Sequence, residues 1–221
     1  MESSKNVALN TTQQSVVANK PHAIYRNIIF DLGKVLIHWD PDAFIRDIFK
    51  EEYEQVLRVV QEVMVQRWVD YDRGLITTHE LAAVLKTEQE KQQLLYFLDI
   101  VPRYMISIPQ GVEWFNRAQA KGYRMYLLSN FPKDLYYAVA AQNSFFNRID
   151  GAVISFQIQK MKPEPEIYQA LLTKYALKPE ECLFIDDREE NIQAGKALGI
   201  DGIVCDHHAR VDKVLTDLCI F

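Results

Sequence analysis

The run Ile28-Ile29-Phe30 ends on a single acid, Asp31, and a glycine follows at Gly33. β-Branched and aromatic residues in a short apolar run favour a buried strand. In an open parallel sheet, ligands bind beyond the carboxyl ends of the strands, so Asp31 would stand at the edge where chemistry is done. A carboxylate beside an apolar strand is costly unless a metal or hydrogen bonds compensate. Taken alone, the stretch serves equally as a strand followed by an Asp that caps the next turn. The rest of the chain has to decide.

After Ile108 the pattern alternates. Val112–Ala120 reads as a helix stopped by Gly122, and Tyr123–Leu128 as a strand that runs into Ser129-Asn130. Further helices are expected over Pro132–Ala141, Pro165–Tyr175, Asn191–Leu198 and Val211–Leu218. The strands between them are Gly151–Phe156, Cys182–Ile185, which ends in Asp186-Asp187, and Ile203–Cys205. Such alternation implies parallel strands joined by crossovers, which groups the first strand with everything after Ile108. Residues 41–108 contain no convincing strand. Asp40 and Pro41 suit the start of a helix, and Val56, Val60, Val63, Met64 and Trp68 recur at helical spacing. Thr77 with Glu80 forms a capping-box pattern. This block reads as a bundle of roughly four helices inserted into an α/β core. The expected organisation is a core over residues 23–40 and 109–221, a helical insertion over 41–108, and a flexible polar leader over 1–22.

Composition narrows the function classes. Hydrophobic residues make up 48% of the chain, enough for a well-buried core in 221 residues. The net charge is −5 and no long basic block exists, so nucleic acid is not an expected partner. No stretch reaches bilayer length, and the leader has no apolar signal-peptide run. Cys182, Cys205 and Cys219 have neither disulfide-framework nor zinc-site spacing, and they point to buried thiols in a reducing, cytoplasmic setting. Monomer and homodimer are both open.

Four groups fall at or after the strand ends: Asp31, Ser129, Lys162 and the pair Asp186-Asp187. A parallel sheet would bring them to one edge. Adjacent carboxylates repel and are hard to keep ionised without a cation. Asp31 with Asp187 and the main-chain carbonyl of Gly33 makes an oxygen-rich site suited to Mg²⁺, which favours few carboxylates, several waters and phosphate oxygens. Ser129 and neighbouring amides can donate to a phosphate, and Lys162 adds positive charge. Asp31 is then the candidate nucleophile for an acyl-phosphate. Each residue also has an ordinary reading: Ser129 as a turn residue, Lys162 as a solvated loop lysine, and Asp186-Asp187 as helix caps.

At these positions the sequence resembles the haloacid dehalogenase superfamily of Mg²⁺-dependent phosphohydrolases. Phe30-Asp31-Leu32-Gly33-Lys34-Val35-Leu36 is similar to its first motif and Leu127-Leu128-Ser129-Asn130 to its second. Lys162-Pro163-Glu164-Pro165-Glu166-Ile167-Tyr168 is similar to its third, and Phe184-Ile185-Asp186-Asp187 with Asn191 to its fourth. The resemblance implies a three-layer, Rossmann-like α/β core with an inserted α-helical cap. It implies Asp31 as nucleophile and metal ligand, the Gly33 carbonyl on the metal, and Ser129 with the Asn130 amide on phosphate. Lys162 would bridge phosphate and Asp31. Asp187 would be the metal-binding acid, and Asp186 a second ligand or a partner behind it.

One departure matters. The family's usual pattern carries an acid/base Asp two residues after the nucleophile, where this chain has Gly33. The Asp-Leu-Gly form resembles a subgroup that includes glucose-1-phosphate phosphatases. A water, or a group such as Asp72, His38 or Lys34, is a candidate to stand in for the missing acid. The expected activity is hydrolysis of a small-molecule phosphate ester, with a sugar phosphate suggested by Asp70-Tyr71-Asp72-Arg73 as a reader of hydroxyls. Trp39, Trp68 and Phe131 are candidates for an apolar wall, with core packing the commoner fate of such residues. The alternatives are a 2-haloacid dehalogenase-type hydrolase, against which the late acidic pair counts, and a catalytically impaired binding protein of the same fold.

Overall fold

Ile28, Ile29 and Phe30 are buried on both sides of a sheet, as a central parallel strand demands. A computed structural model describes residues 25–221; the leader reading of residues 1–22 lies outside them. The strands are β1 (Asn27–Phe30), β2 (Arg124–Ser129), β3 (Gly151–Ile154), β4 (Cys182–Asp186) and β5 (Asp201–Val204). They form one parallel sheet in the order β3-β2-β1-β4-β5.

The period of two is visible in the packing. Ile28 and Phe30 join Leu127 and Ile185 in one apolar cluster, which includes Trp114 and Phe115 of α6 (Pro109–Ala120) and Val211 and Leu215 of α11 (His208–Asp217). Ile29 points the other way, into a cluster with Leu128, Val153 and Phe184. That face is covered by Ile167, Tyr168 and Leu171 of α9 (Pro165–Lys174) and Ile192 of α10 (Glu189–Ala197). Each such side chain contributes about 1.5–3 kcal/mol on burial.

Between β1 and α6 lie α1 (Pro41–Phe49), α2 (Tyr53–Gln66), α3 (Trp68–Asp72), α4 (Thr78–Ala82) and α5 (Glu88–Ile100). Asp40 caps α1 through the Ala43 amide, and Pro41 opens it. Thr77 and Glu80 form the capping box of α4, and Thr87 with Glu90 repeats it on α5. The insertion has five helices rather than about four. The apolar spacing runs on from Val63 to Trp68, but Arg67 leaves helical geometry (φ −141°, ψ 0°) and splits α2 from α3.

Two further differences are local. The expected strand Gly151–Phe156 stops at Ile154, whose amide donates to the Gln157 side chain as a short helix, α8 (Ser155–Ile158), begins. Cys182 and Cys205 are buried, whereas Cys219 is exposed; all three are free thiols. Between β2 and β3 runs α7 (Lys133–Gln142). Among the described residues no helix is long and apolar enough to cross a membrane.

Candidate active site

The strand order fixes where the chemistry sits. The chain leaves β1 towards β2 and β3 on one side, and returns through α9 to β4 on the other. A crevice therefore opens at the carboxyl ends of β1 and β4. Register does the rest: Phe30 pairs with Leu127 and with Ile185, so Asp31 and Asp186 emerge side by side and Ser129 follows one residue further along β2. The Asp31 amide donates to the Ile185 carbonyl at 2.9 Å, which holds the acid at the sheet edge.

Four predicted groups converge there. Ser129 Oγ donates to Asp31 Oδ1 at 2.7 Å. Lys162 Nζ lies 2.8 Å from the same oxygen and 2.5 Å from Asp186 Oδ2. The lysine side chain is 2% exposed, so it is not the solvated loop residue that its neighbours in sequence suggest. Its loop is clipped by Asn130, whose side chain donates to the Lys162 carbonyl (2.9 Å) and accepts from the Lys162 amide (2.7 Å). Asp186 is fully buried, and its Oδ1 accepts from the Arg188 amide (2.8 Å) and Asn191 Nδ2 (2.9 Å). Asp187 is half-buried, with Lys34 Nζ at 3.9 Å. Gly33 lines the same cavity.

The electrostatics are those of a crowded acidic pocket. Burial pushes the Asp31 carboxyl up to about 6, Lys162 opposes this, and the Asp186 charge adds to it. Burial also works against the Lys162 ammonium, but the two carboxylates more than offset it and hold the lysine above its ordinary value. Burial raises Asp187, and Asp186 raises it further. One carboxylate oxygen each from Asp31, Asp186 and Asp187 falls within 4.8 Å of the others. A hard, all-oxygen donor set of this kind fits Mg²⁺. Beside it, Oδ1 of Asn191 is buried without a partner among the described residues, a further oxygen facing a polar site.

The cavity over these groups is about 480 Å³. Trp39, Trp68 and Phe131 all line it, so the apolar-wall reading holds for them; Trp39 and Trp68 stack obliquely with ring centroids 6.1 Å apart. Of the three stand-ins for the missing acid, Asp72 and Lys34 line the cavity, and His38 is exposed. Burial pushes Asp72 up to about 7; a hydrogen bond from Trp68 opposes this, and the nearby Asp31 charge adds to it. The rest of its segment faces elsewhere. Asp70 pairs with Arg67 and Tyr71 with Thr78, while Arg73 binds the Gln159 carbonyl and Glu164.

Two positioning features carried no sequence signal. Ser155, fully buried, donates to the Asp72 carbonyl at 2.5 Å and accepts from the Phe131 amide at 2.9 Å. It ties the insertion to the loop after β2. Arg73, 91 residues from Glu164, joins the insertion to the Lys162 loop at 2.9 Å.

A family model described as haloacid dehalogenase-like hydrolase matches residues 25–199. The chain belongs to that family. Among curated proteins it is 28% identical over 200 residues to D-ribitol-5-phosphate phosphatase of Bacteroides thetaiotaomicron, covering 80% of this chain and 89% of that protein. It is 22% identical over 197 residues to flavin mononucleotide hydrolase 1 of Arabidopsis thaliana, covering 87% and 77%. A solved haloacid dehalogenase family enzyme of B. thetaiotaomicron, in complex with magnesium and inorganic phosphate, superposes with a TM-score of 0.65. It is 23% identical and covers 81% of this chain and 93% of its own, a likeness of fold. The parallel sheet with its inserted helices is thus the haloacid dehalogenase-like fold, and the protein is a hydrolase whose relatives include phosphatases.

Proposed function

We propose that this haloacid dehalogenase-like hydrolase is a cytoplasmic, Mg²⁺-dependent phosphomonoesterase for small phosphorylated metabolites, with Asp31 as nucleophile. The observation that carries the reading is the meeting of Asp31, Ser129, Lys162, Asp186 and Asp187 at one sheet edge. The helical insertion over 41–108 acts as the cap. Three free thiols support a reducing compartment.

Ser129 and Lys162 both contact Oδ1 of Asp31, which leaves Oδ2 to attack phosphorus. The Asp31 Oδ2–P bond forms and the ester P–O bond breaks, with Ser129, the Asn130 amide and Lys162 against the phosphoryl oxygens. Asp31, Asp187, the Gly33 carbonyl and Asp186, directly or from behind, would hold Mg²⁺, which when bound supplies charge compensation for a carboxylate attacking a dianion. Gly33 has no proton to give the departing alkoxide. Asp72 does: near neutral pH its carboxyl is partly protonated, it lines the cavity, and Ser155 and Arg73 anchor its segment. Having protonated the alcohol, the Asp72 carboxylate takes a proton from the water that cleaves phospho-Asp31.

The ester's alcohol is less constrained. D-ribitol-5-phosphate phosphatase acts on a polyol phosphate, but at 28% identity its substrate does not carry over and the alcohol must be read from the cavity. The Asp70–Arg73 segment, on which the sugar expectation rested, offers the cavity one of its four side chains, Asp72. Phosphate release from a panel of esters, with Mg²⁺ and with EDTA, tests the reading. Release that requires Mg²⁺ supports it. Hydrolysis of a 2-haloacid that persists in EDTA favours the dehalogenase alternative, and ligand binding without any release favours the binding protein.

A further inference from the structure

We infer that the alcohol half of the substrate is an apolar body, aliphatic or aromatic, rather than a polyol. The inference rests on the phosphomonoesterase reading and adds the chemical class of the leaving group. The cavity is divided by origin. Its polar lining, Asp72 apart, comes from the strand ends and their loops, where the phosphate is proposed to bind. The lining supplied by the insertion and its hinges is Trp39, Met64, Trp68, Val69 and Met105, with Phe131 and Leu135 facing them from the loop after β2 and from α7. Among the described residues, Asp72 is the one charged side chain that the insertion brings to the cavity.

On the Asp70–Arg73 segment the donors and acceptors a sugar would need are already engaged. Asp70, Tyr71 and Arg73 are bonded within the protein, and the Trp68 side chain serves Asp72. A hydroxyl buried without a partner loses on the order of tenfold in affinity, and a polyol carries several. An apolar chain meets the opposite balance, gaining roughly fourfold for each methylene removed from water. Trp39 and Trp68, half-buried neighbours with rings tilted by 34°, offer such a surface. A cavity of about 480 Å³ is of ordinary size for a small molecule.

The test is a homologous series. Ethyl to hexyl phosphate share nearly one leaving-group basicity, so the reactivity of the ester bond stays constant while buried area grows. With Mg²⁺ and the full-length protein, KM should fall by about two- to fourfold per methylene. Hexyl phosphate should exceed ribitol 5-phosphate and glucose 6-phosphate in kcat/KM by at least about sixteenfold, the product of four twofold steps. Met64→Gln should flatten the slope. A flat series, or a polyol phosphate preferred over hexyl phosphate, overturns the inference while leaving the phosphatase reading intact.

The same n-alkyl series as phosphonates, which cannot be hydrolysed, is titrated by calorimetry and keeps the two readings apart. A graded rise in affinity with chain length, together with no phosphate release from any ester, removes the phosphatase reading and retains the apolar site. Affinity independent of chain length overturns the apolar site whatever the enzyme hydrolyses.

Discussion

Lys162→Met is the sharpest probe of the charge cluster. The side chain is 2% exposed, and its ammonium lies 2.8 Å from Asp31 and 2.5 Å from Asp186. Methionine fills a similar volume and removes the charge, leaving two buried carboxylates with no counter-ion between them. Breaking a buried ion pair from one side costs about 3–5 kcal/mol. The loss must depend on pH, and the sign follows from Asp31. Its carboxyl stands at about 6 in the folded protein, above the ordinary 3.8, because of burial and in spite of Lys162. A folded value raised above the unfolded one contributes stability that is complete below pH 4 and is lost as pH rises through 6. In the wild type that decline is worth ~3 kcal/mol, from about two units at 1.36 kcal/mol each. Without Lys162 the carboxyl rises further, so the variant's deficit grows between pH 5 and pH 8 by about 1.5–3 kcal/mol. Urea unfolding in EDTA at both pH values measures it, with the m-value as a check that the denatured state is unchanged. A deficit below 1 kcal/mol at pH 8, or the same deficit at both pH values, refutes the charge assignment.

Three further outcomes follow from the same geometry. Asp31→Asn keeps the shape and removes the nucleophile; turnover should fall by at least about a thousandfold with an unchanged circular dichroism spectrum, and near-normal release of phosphate would refute the assigned nucleophile. Asp72→Asn should lower kcat on alkyl phosphates by roughly 10²–10⁴, and far less on p-nitrophenyl phosphate, whose leaving group needs no proton. Gly33→Asp in that background should recover part of the alkyl activity, since an added Cβ meets no atom nearer than Trp39 Cβ at 3.9 Å; equal losses on both esters would exclude Asp72 as the acid. Gly111→Ala places a Cβ 2.1 Å from the Val35 carbonyl oxygen, at the start of α6. Overpacking against backbone should cost about 3 kcal/mol and lower the melting temperature by roughly 6–12 °C in a scanning calorimeter.

The core could be read from sequence because its punctuation is local. A central parallel strand is buried on both faces, so Ile28-Ile29-Phe30 and Cys182-Leu183-Phe184-Ile185 are unbroken apolar runs, and the acids that end them mark the sheet edge. The inserted helices were less legible. Helical spacing carries through Arg67 although the backbone does not, so two helices read as one. Periodicity also cannot separate a side chain packed in a core from one lining a cavity, and Trp39 and Trp68 do both, packing on the core and lining the cavity. Ser155 left no trace at all, because its role is a contact with Asp72, 83 residues away.

Of the groups proposed to attack and to hold phosphate, Asp31, Ser129 and the Asp186-Asp187 pair stand at strand ends, at fixed steps from β1, β2 and β4, and Lys162 reaches them from the loop between α8 and α9. The proposed acid and part of the wall that meets the alcohol (Met64, Trp68 and Val69) sit on the insertion, held over the core by Ser155–Asp72 and Arg73–Glu164. Loss of those two tethers would leave every strand-end group in place and still remove both the proton for the leaving alcohol and part of the surface that receives it. On the proposed reading, substrate choice depends on contacts between insertion and core, and a change confined to Met64, Trp68 or Val69 should alter the preference for the alcohol without changing the phosphate chemistry.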